Sequence, residues 1–281
     1  NPEITRNYPE EIHAIVQSNC AVSGCHTAAS KEAAAGLDLT SWETAMAGGR
    51  NGQVVVPYNA GQSTLFLFTN TFEELGVRVL PTMPLNGTPM SKSEIILLKN
   101  WINEGAMNDN NEVAFANDPN RLKYYVLNAV CDEISVLDAE TGLVMRSYSP
   151  QLMNDPGFAE MIRVSADRRF VYVLFTSGLF VKYNAASDEF VNQVQLPSGL
   201  WRSFVLDSDN NKAVLCDWSG NSEHKGALIT LVDLSTMTLC KRQPEPLFYF
   251  PSGATFHPTK PIVYVSCFTG NFLYKMNVYD F

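Results

Sequence analysis

Over the first hundred positions the apolar residues recur at helical spacing, in runs marked by capping residues, two of them closed by glycine. Tyr8 to Asn19 reads as a short amphipathic helix: Pro9 suits its first turn, Glu10 and Glu11 suit the positive helix end, and Ile12, Ile15 and Val16 form the stripe. In GLDLTSWETAMAGG (Gly36–Gly49), Leu37 and Leu39 read as buried, Thr40 or Ser41 as the cap of a short helix, and the two glycines as its end. Ser63 is placed to cap a further apolar helix running to about Asn70. Val79–Ser91 is a proline-rich loop carrying Met83 and Met90. After it, Ser91 and Glu94 form a capping box, Ile95, Leu98, Trp101 and Ile102 share one helical face, and Gly105 ends the run.

Asn108–Asn120 is polar and rich in turn formers, and beyond it the pattern changes to short β-branched and aromatic runs. An internal repeat starts at Arg121, Arg168, Asn211 and Thr259, with spacings of 47, 43 and 48 residues. Each copy runs from a polar turn through an apolar strand, turns, and re-enters as a second strand. That length matches the roughly 40–50 residues of one four-stranded propeller blade. FVYVLF and IVYVSC resemble the YVTN-type propeller repeat. The expected fold is therefore multidomain α + β: a small all-α domain at 1–107, a linker at 108–120, and all-β propeller repeats at 121–281. The propeller would be partial, about 3.5 blades by the ~40–50-residue period, and the chain a piece of a longer protein.

Composition narrows the function classes. Twenty basic against twenty-nine acidic side chains give a net charge of −9, a poor match for nucleic acid. No apolar run reaches the ~20 residues of a membrane span, and no signal peptide is visible. Six cysteines are too few for a disulfide scaffold in a chain of 281 residues. Cys131, Cys216 and Cys267 fall at nearly the same place in three repeats and read as a buried strand position. His224 and His257 lie in turns, and His13 on the first helix reads as a surface residue. There is no nucleophile elbow, phosphate loop or dinucleotide fingerprint.

The chemistry gathers in CAVSGCH, Cys20–His26. Two thiols followed at once by a histidine suggest c-type haem attachment, where the thiols add to the vinyl groups and the histidine ligates the iron. The spacer here is four residues rather than two, and Gly24 lets the longer loop bulge. A Cys20–Cys25 disulfide, a metal site or two unrelated thiols remain open on the heptapeptide alone.

The ordered set CAVSGCH, GLDLTSWE, VVPYNAGQSTLF, TMPL and IILLKNWINEGA resembles the small cytochrome c domain of the planctomycete/Bacteroidetes type. The resemblance covers about Pro9 to Ala106. It implies one covalent haem c, with Cys20 and Cys25 as thioether sites, His26 as proximal ligand and Met83 as distal ligand, Met90 being the alternative. Where that family has Met-Pro-Pro, this chain has Met83-Pro84-Leu85.

The function expected is an exported c-type cytochrome that carries electrons to a redox partner protein, in the periplasm or at the surface of a Gram-negative bacterium. An electron carrier fits better than a catalyst, because no catalytic set is seen. The propeller would be a docking or substrate platform of unspecified ligand, and a lipid anchor could lie upstream. The alternative is a haem-free surface binding module with a Cys20–Cys25 disulfide, its propeller holding a glycan or protein.

Overall fold

The computed structural model describes residues 7–115, 118, 120–129, 133–148, 157–207, 209, 211–219, 228–244, 250–269 and 271–278. A small helical N-terminal part is followed by four β-sheets. Two compact units result, one comprising residues 1–126 and 134–148, the other residues 127–133 and 149–281.

The helices are α1 (Glu10–Asn19), α2 (Trp42–Ala47), α3 (Thr64–Thr69) and α4 (Lys92–Asn103). Pro9 caps α1 from just outside, and Ile12, Ile15 and Val16 are buried. Ser41 caps α2 in a box with Thr44, and Gly48 ends it at φ 72°, a backbone glycine adopts freely. The Ser91–Glu94 capping box on α4 forms as expected, with Ile95, Leu98, Trp101 and Ile102 buried. Ser63 departs from expectation. Its hydroxyl does not cap α3. It is fully buried, accepts the Val56 N–H at 2.8 Å and donates to the Asn59 carbonyl at 2.8 Å. Fastening an irregular, water-excluded loop outweighs capping, since buried backbone groups there have no ladder partner.

The aromatic residues close this core. Tyr8 meets Trp101 edge-on at 5.9 Å and donates to the Leu39 carbonyl at 3.2 Å. Trp42 and Trp101 donate to the Ala106 and Met107 carbonyls at 2.7 and 2.8 Å. Both indoles thus keep a polar partner while burying their rings. Asn108 is buried as well, taking the Asn110 and Glu112 N–H groups, and Ala114 joins the helical core. This part of the expected junction is folded against the helices.

The first sheet has the order β1 (Lys123–Asn128), β2 (Glu133–Asp138), β3 (Val144–Tyr148). The second runs β4 (Ala159–Val164), β5 (Phe170–Phe175), β6 (Leu179–Asn184), β7 (Phe190–Gln195). The third runs β8 (Trp201–Leu206), β9 (Lys212–Asp217), β10 (Leu228–Asp233), β11 (Thr238–Pro244). The fourth is β12 (Pro251–Phe256), β13 (Ile262–Cys267), β14 (Leu273–Asn277). Sequence neighbours pair, and the described registers are antiparallel. None of the sheets is closed, and the arrangement is compatible with propeller blades.

One hydrogen bond repeats in all four sheets: Ala139 N–H to Leu122, Ala185 to Arg169, Leu234 to Asn211, and Val278 to Pro261. It makes β1, β5, β9 and β13 equivalent. The repeat seen in the sequence therefore begins at the second strand of the four-stranded sheets. The same register corrects the cysteine alignment. Cys216 faces Ser203, whereas the equivalent partner, Gly253, faces Ser266, and Cys267 stands one residue further on. A one-residue offset in a strand reverses the face, and accordingly Cys216 is fully buried while Cys267 is half-exposed. Cys131 and His224 lie outside the described residues. His257 serves its turn, its Nδ1 accepting the Thr259 N–H at 3.1 Å.

Candidate functional site

The first compact unit contains a cavity of about 460 Å³, and Cys20, Cys25, His26 and Met83 all line it. The size lies within the usual range for small-molecule and cofactor sites. Its wall is mostly apolar, drawn from Ala33–Ala35, Leu37, Leu39, Val54, Leu65, Phe68 and Leu85.

Local chain geometry explains how the motif reaches this wall. The Cys20 N–H still bonds to Val16, so α1 hands over directly to the first thiol. The Cys25 N–H turns back to Val22, and the His26 N–H returns to the Cys20 carbonyl at 3.2 Å, closing the six-residue loop. Gly24 stands at φ 83°, which an L side chain adopts at a cost. The Ser30 hydroxyl holds the Cys25 carbonyl at 2.6 Å, and the Leu39 N–H holds that of His26 at 2.9 Å. The four-residue spacer is thus accommodated as a compact loop.

The thiols differ in setting. Cys20 is buried, which pushes its pKa up to about 11, whereas Cys25 is exposed. The two thiols are free in this structure. His26 is half-buried, and burial lowers its pKa against a smaller opposing effect of the Leu37 backbone. Its Nδ1 is buried with no hydrogen-bond partner among the described residues. At neutral pH the imidazole is a neutral donor, the form that ligates metals.

Met83 comes from the proline-rich loop, half-buried. Two carbonyls near the end of α3 accept loop donors: Phe68 from Met83 N–H at 2.7 Å and Leu67 from Val79 N–H at 3.3 Å. Asn70, fully buried, donates to the Gly76 and Val77 carbonyls and accepts the Phe72 N–H. The bonds to the Leu67 and Phe68 carbonyls use helix-end acceptors that would otherwise lack partners. Met90, the other candidate, is a core side chain only 2% exposed and is not among the cavity residues. His13 is exposed, and Arg50 pairs with Glu32 at 2.7 Å on the surface.

A larger cleft of about 850 Å³ in the second unit, lined by Asp207, Lys212, Cys240 and His257, lacks comparable chemistry. Asp207 accepts backbone N–H groups, and Lys212 is held by Asp233 at 2.5 Å. Asp207 and Lys212 are thus already partnered. No group of three or more His, Cys, Asp or Glu suited to a metal ion occurs among the described residues. No helix there is long and apolar enough to cross a membrane.

Two thiols, a neutral imidazole and a thioether around one apolar cavity are the donor set of a covalent haem, and the residues fit that group. The fastening by Phe68 and Asn70 was not foreseen from sequence; an asparagine just after an apolar helix was its only signal.

The chain matches no curated protein. Among solved structures it resembles Kuenenia stuttgartiensis hydrazine synthase, at 16% identity and a TM-score of 0.43, over 51% of this chain. The match spans only 40% of that chain, and a likeness this weak carries no argument. Residues 23–75 match the family model of planctomycete cytochrome C, a segment that includes Cys25 and His26 and ends before Met83.

Proposed function

We propose that the helical domain is an exported electron carrier with one covalently attached haem c, and that the sheets form a β-propeller that docks its redox partner or substrate. The observation that carries this reading is the meeting of Cys20, Cys25, His26 and Met83 on one apolar cavity, although Met83 lies far along the chain from the cysteine motif. The match of residues 23–75 to a cytochrome family supports it. When bound, the haem supplies one-electron exchange between ferric and ferrous states.

The chain's own residues do the rest. Cys20 and Cys25 would anchor the group by thioether bonds. The His26 imidazole, its pKa lowered by burial, and the Met83 thioether would be the chain's donors to the iron. Histidine–methionine ligation raises the potential and so favours the reduced state. The apolar wall excludes water. The hydrogen bond from Met83 N–H to the Phe68 carbonyl would steady the loop that carries the sulfur.

Protein purified from its native host, oxidised and then reduced with dithionite, tests the reading. Sharp reduced α and β bands that survive acid–acetone extraction are the expected result. A weak far-red band in the oxidised form, lost in Met83→Ala, then assigns the distal ligand. Colourless protein whose Cys20 and Cys25 resist thiol reagents overturns the proposal in favour of the haem-free binding module.

A further inference from the structure

The first strands of the second, third and fourth sheets share an irregularity. Between β4 and β5 the register steps from Ala159–Phe175 to Met161–Leu174, leaving Glu160 as an extra residue. Between β8 and β9 it steps from Trp201–Asp217 to Ser203–Cys216, leaving Arg202. Between β12 and β13 it steps from Pro251–Cys267 to Gly253–Ser266, leaving Ser252. β8 packs beside both β4 and β12, so three bulges stand at one level on neighbouring strands. Bulges re-aim side chains and gather beside functional sites.

The side chains at this level are incompletely satisfied. Arg202 Nη1 holds both oxygens of Glu160, at 3.0 and 3.2 Å. Arg202 Nε is buried with no partner among the described residues, and so is the indole Nε1 of Trp218. The guanidinium lies 5.6 Å from the centre of the Trp218 ring, which Phe250 and Phe268 flank at 5.7 and 5.5 Å. Phe268 is 72% exposed. The nearby carboxylate of Asp217 is already used, accepting the Leu200 and Ser219 N–H groups and the Ser219 hydroxyl. Two buried donors that find no acceptor among the described residues are costly in a native protein and call for one.

We propose that this cluster binds a small oxyanion, a carboxylate or a phosphate, which accepts from Arg202 Nε and Trp218 Nε1. Arg202 supplies the charge and a planar edge suited to two parallel hydrogen bonds. Trp218 supplies the second donor and an apolar ring face, beside which the exposed Phe268 ring lies. Glu160 orients the guanidinium and also competes with the ligand for it.

The test uses the full chain, titrated with sodium malonate and separately with inorganic phosphate against sodium chloride of equal ionic strength. Tryptophan fluorescence and the melting midpoint are read. A saturable fluorescence change with a rise in midpoint is expected from at least one anion, and the tighter of the two names the source. Arg202→Gln should weaken it about tenfold or more, the loss of a charge-assisted hydrogen bond. Trp218→Phe keeps the ring, removes the donor and should also weaken binding, which covers the case of a poorly folded Arg202 variant. Glu160→Gln should tighten it. No saturable response to either anion, or one that Arg202→Gln and Trp218→Phe retain, overturns the proposal, as does weaker binding in Glu160→Gln.

Discussion

The backbone N–H of Met83 donates to the carbonyl of Phe68 at 2.7 Å, tying the proline-rich loop to the end of α3. Phe68 also lines the cavity that Met83 faces, so one residue both holds the thioether's backbone and forms part of its apolar wall. Local secondary structure and candidate chemistry are coupled at that bond.

Asn70 secures the intervening turn with three hydrogen bonds from a fully buried side chain. Asn70→Ala leaves the Gly76 and Val77 carbonyls and the Phe72 N–H without it, a cost of about 2–3 kcal/mol. A urea titration of the variant should show this loss, and under the proposed Met83 ligation haem-loaded protein should lose that bond at lower urea than wild type. Unchanged stability and ligation would refute the fastening role.

At the other side of the helical core, Glu94 accepts from the Ser91 N–H at 2.7 Å and from Asn19 Nδ2 at 3.2 Å. The box therefore also joins α4 to the end of α1, where the cysteine loop begins. Ser91→Ala should cost about 1 kcal/mol. Glu94→Ala should cost more, because it removes the link to Asn19 as well. Thermal melts followed by far-ultraviolet dichroism rank the two variants, and a larger loss in Ser91→Ala would contradict the link.

The sequence made the helices legible because apolar spacing and caps act within a few residues: the Ser91 box and the Ile95–Ile102 face stand where the pattern puts them. The repeat was legible too, but its strand register was not. Cys216 and Cys267 align by eye, yet the bulges at Arg202 and Ser252 fix the ladder, and a bulge leaves no strong local mark. Ser63 misled for a related reason. A serine before an apolar run looks like a cap, but its partners Val56 and Asn59 are supplied by the preceding loop. The gathering of Met83 with Cys20, Cys25 and His26 depends on long-range packing, which only the resemblance to a known domain anticipated.

Gly178, between β5 and β6, has φ 87°, and a Cβ there would stand 2.6 Å from Trp201 Nε1 and 3.0 Å from Leu196 Cβ. Trp201 is fully buried and bound to the Pro197 carbonyl, so it has no room to retreat. Gly178→Ala combines backbone strain with overpacking, at about 3 kcal/mol. A lowered urea midpoint, with little change in slope, is the expected measurement; wild-type stability would show that the turn yields.

Acid should weaken the second unit in a defined window. Burial pushes the Asp167 pKa up, but the Ser165 hydroxyl and the Arg169 N–H and guanidinium outweigh it and hold it at about 2. The Lys212 ammonium, then Ser235, hold Asp233 well below the usual carboxylate range against burial. Each folded pKa lies below its unfolded value, near ~3.9, so both contributions are full above about pH 4 and fade as pH falls through the folded values. Asp207, raised by burial, opposes them at higher pH. Urea midpoints should therefore fall between about pH 4 and pH 2, and less steeply in Asp167→Asn. A midpoint that stays flat over that window would contradict these assignments.

The two thiols of the cysteine motif should be chemically unequal before any haem is attached. Burial pushes Cys20 up to about 11 and the fully buried Cys216 up to about 12, whereas Cys25 and Cys240 are exposed. At pH 8 Cys20 is therefore almost entirely protonated, and the thiolate is the reactive form. Haem-free protein treated with iodoacetamide and mapped by mass spectrometry should label Cys25 and Cys240 first, with Cys20 and Cys216 at least about tenfold slower. Raising the pH should narrow the gap for Cys20, because its barrier is partly ionisation rather than access alone. Equal labelling of Cys20 and Cys25 would mean that the loop opens readily and that burial does not protect the first thiol. Failure of both to react until a reductant is added would show them joined as a disulfide, and the motif would then be a structural clip rather than a haem attachment site.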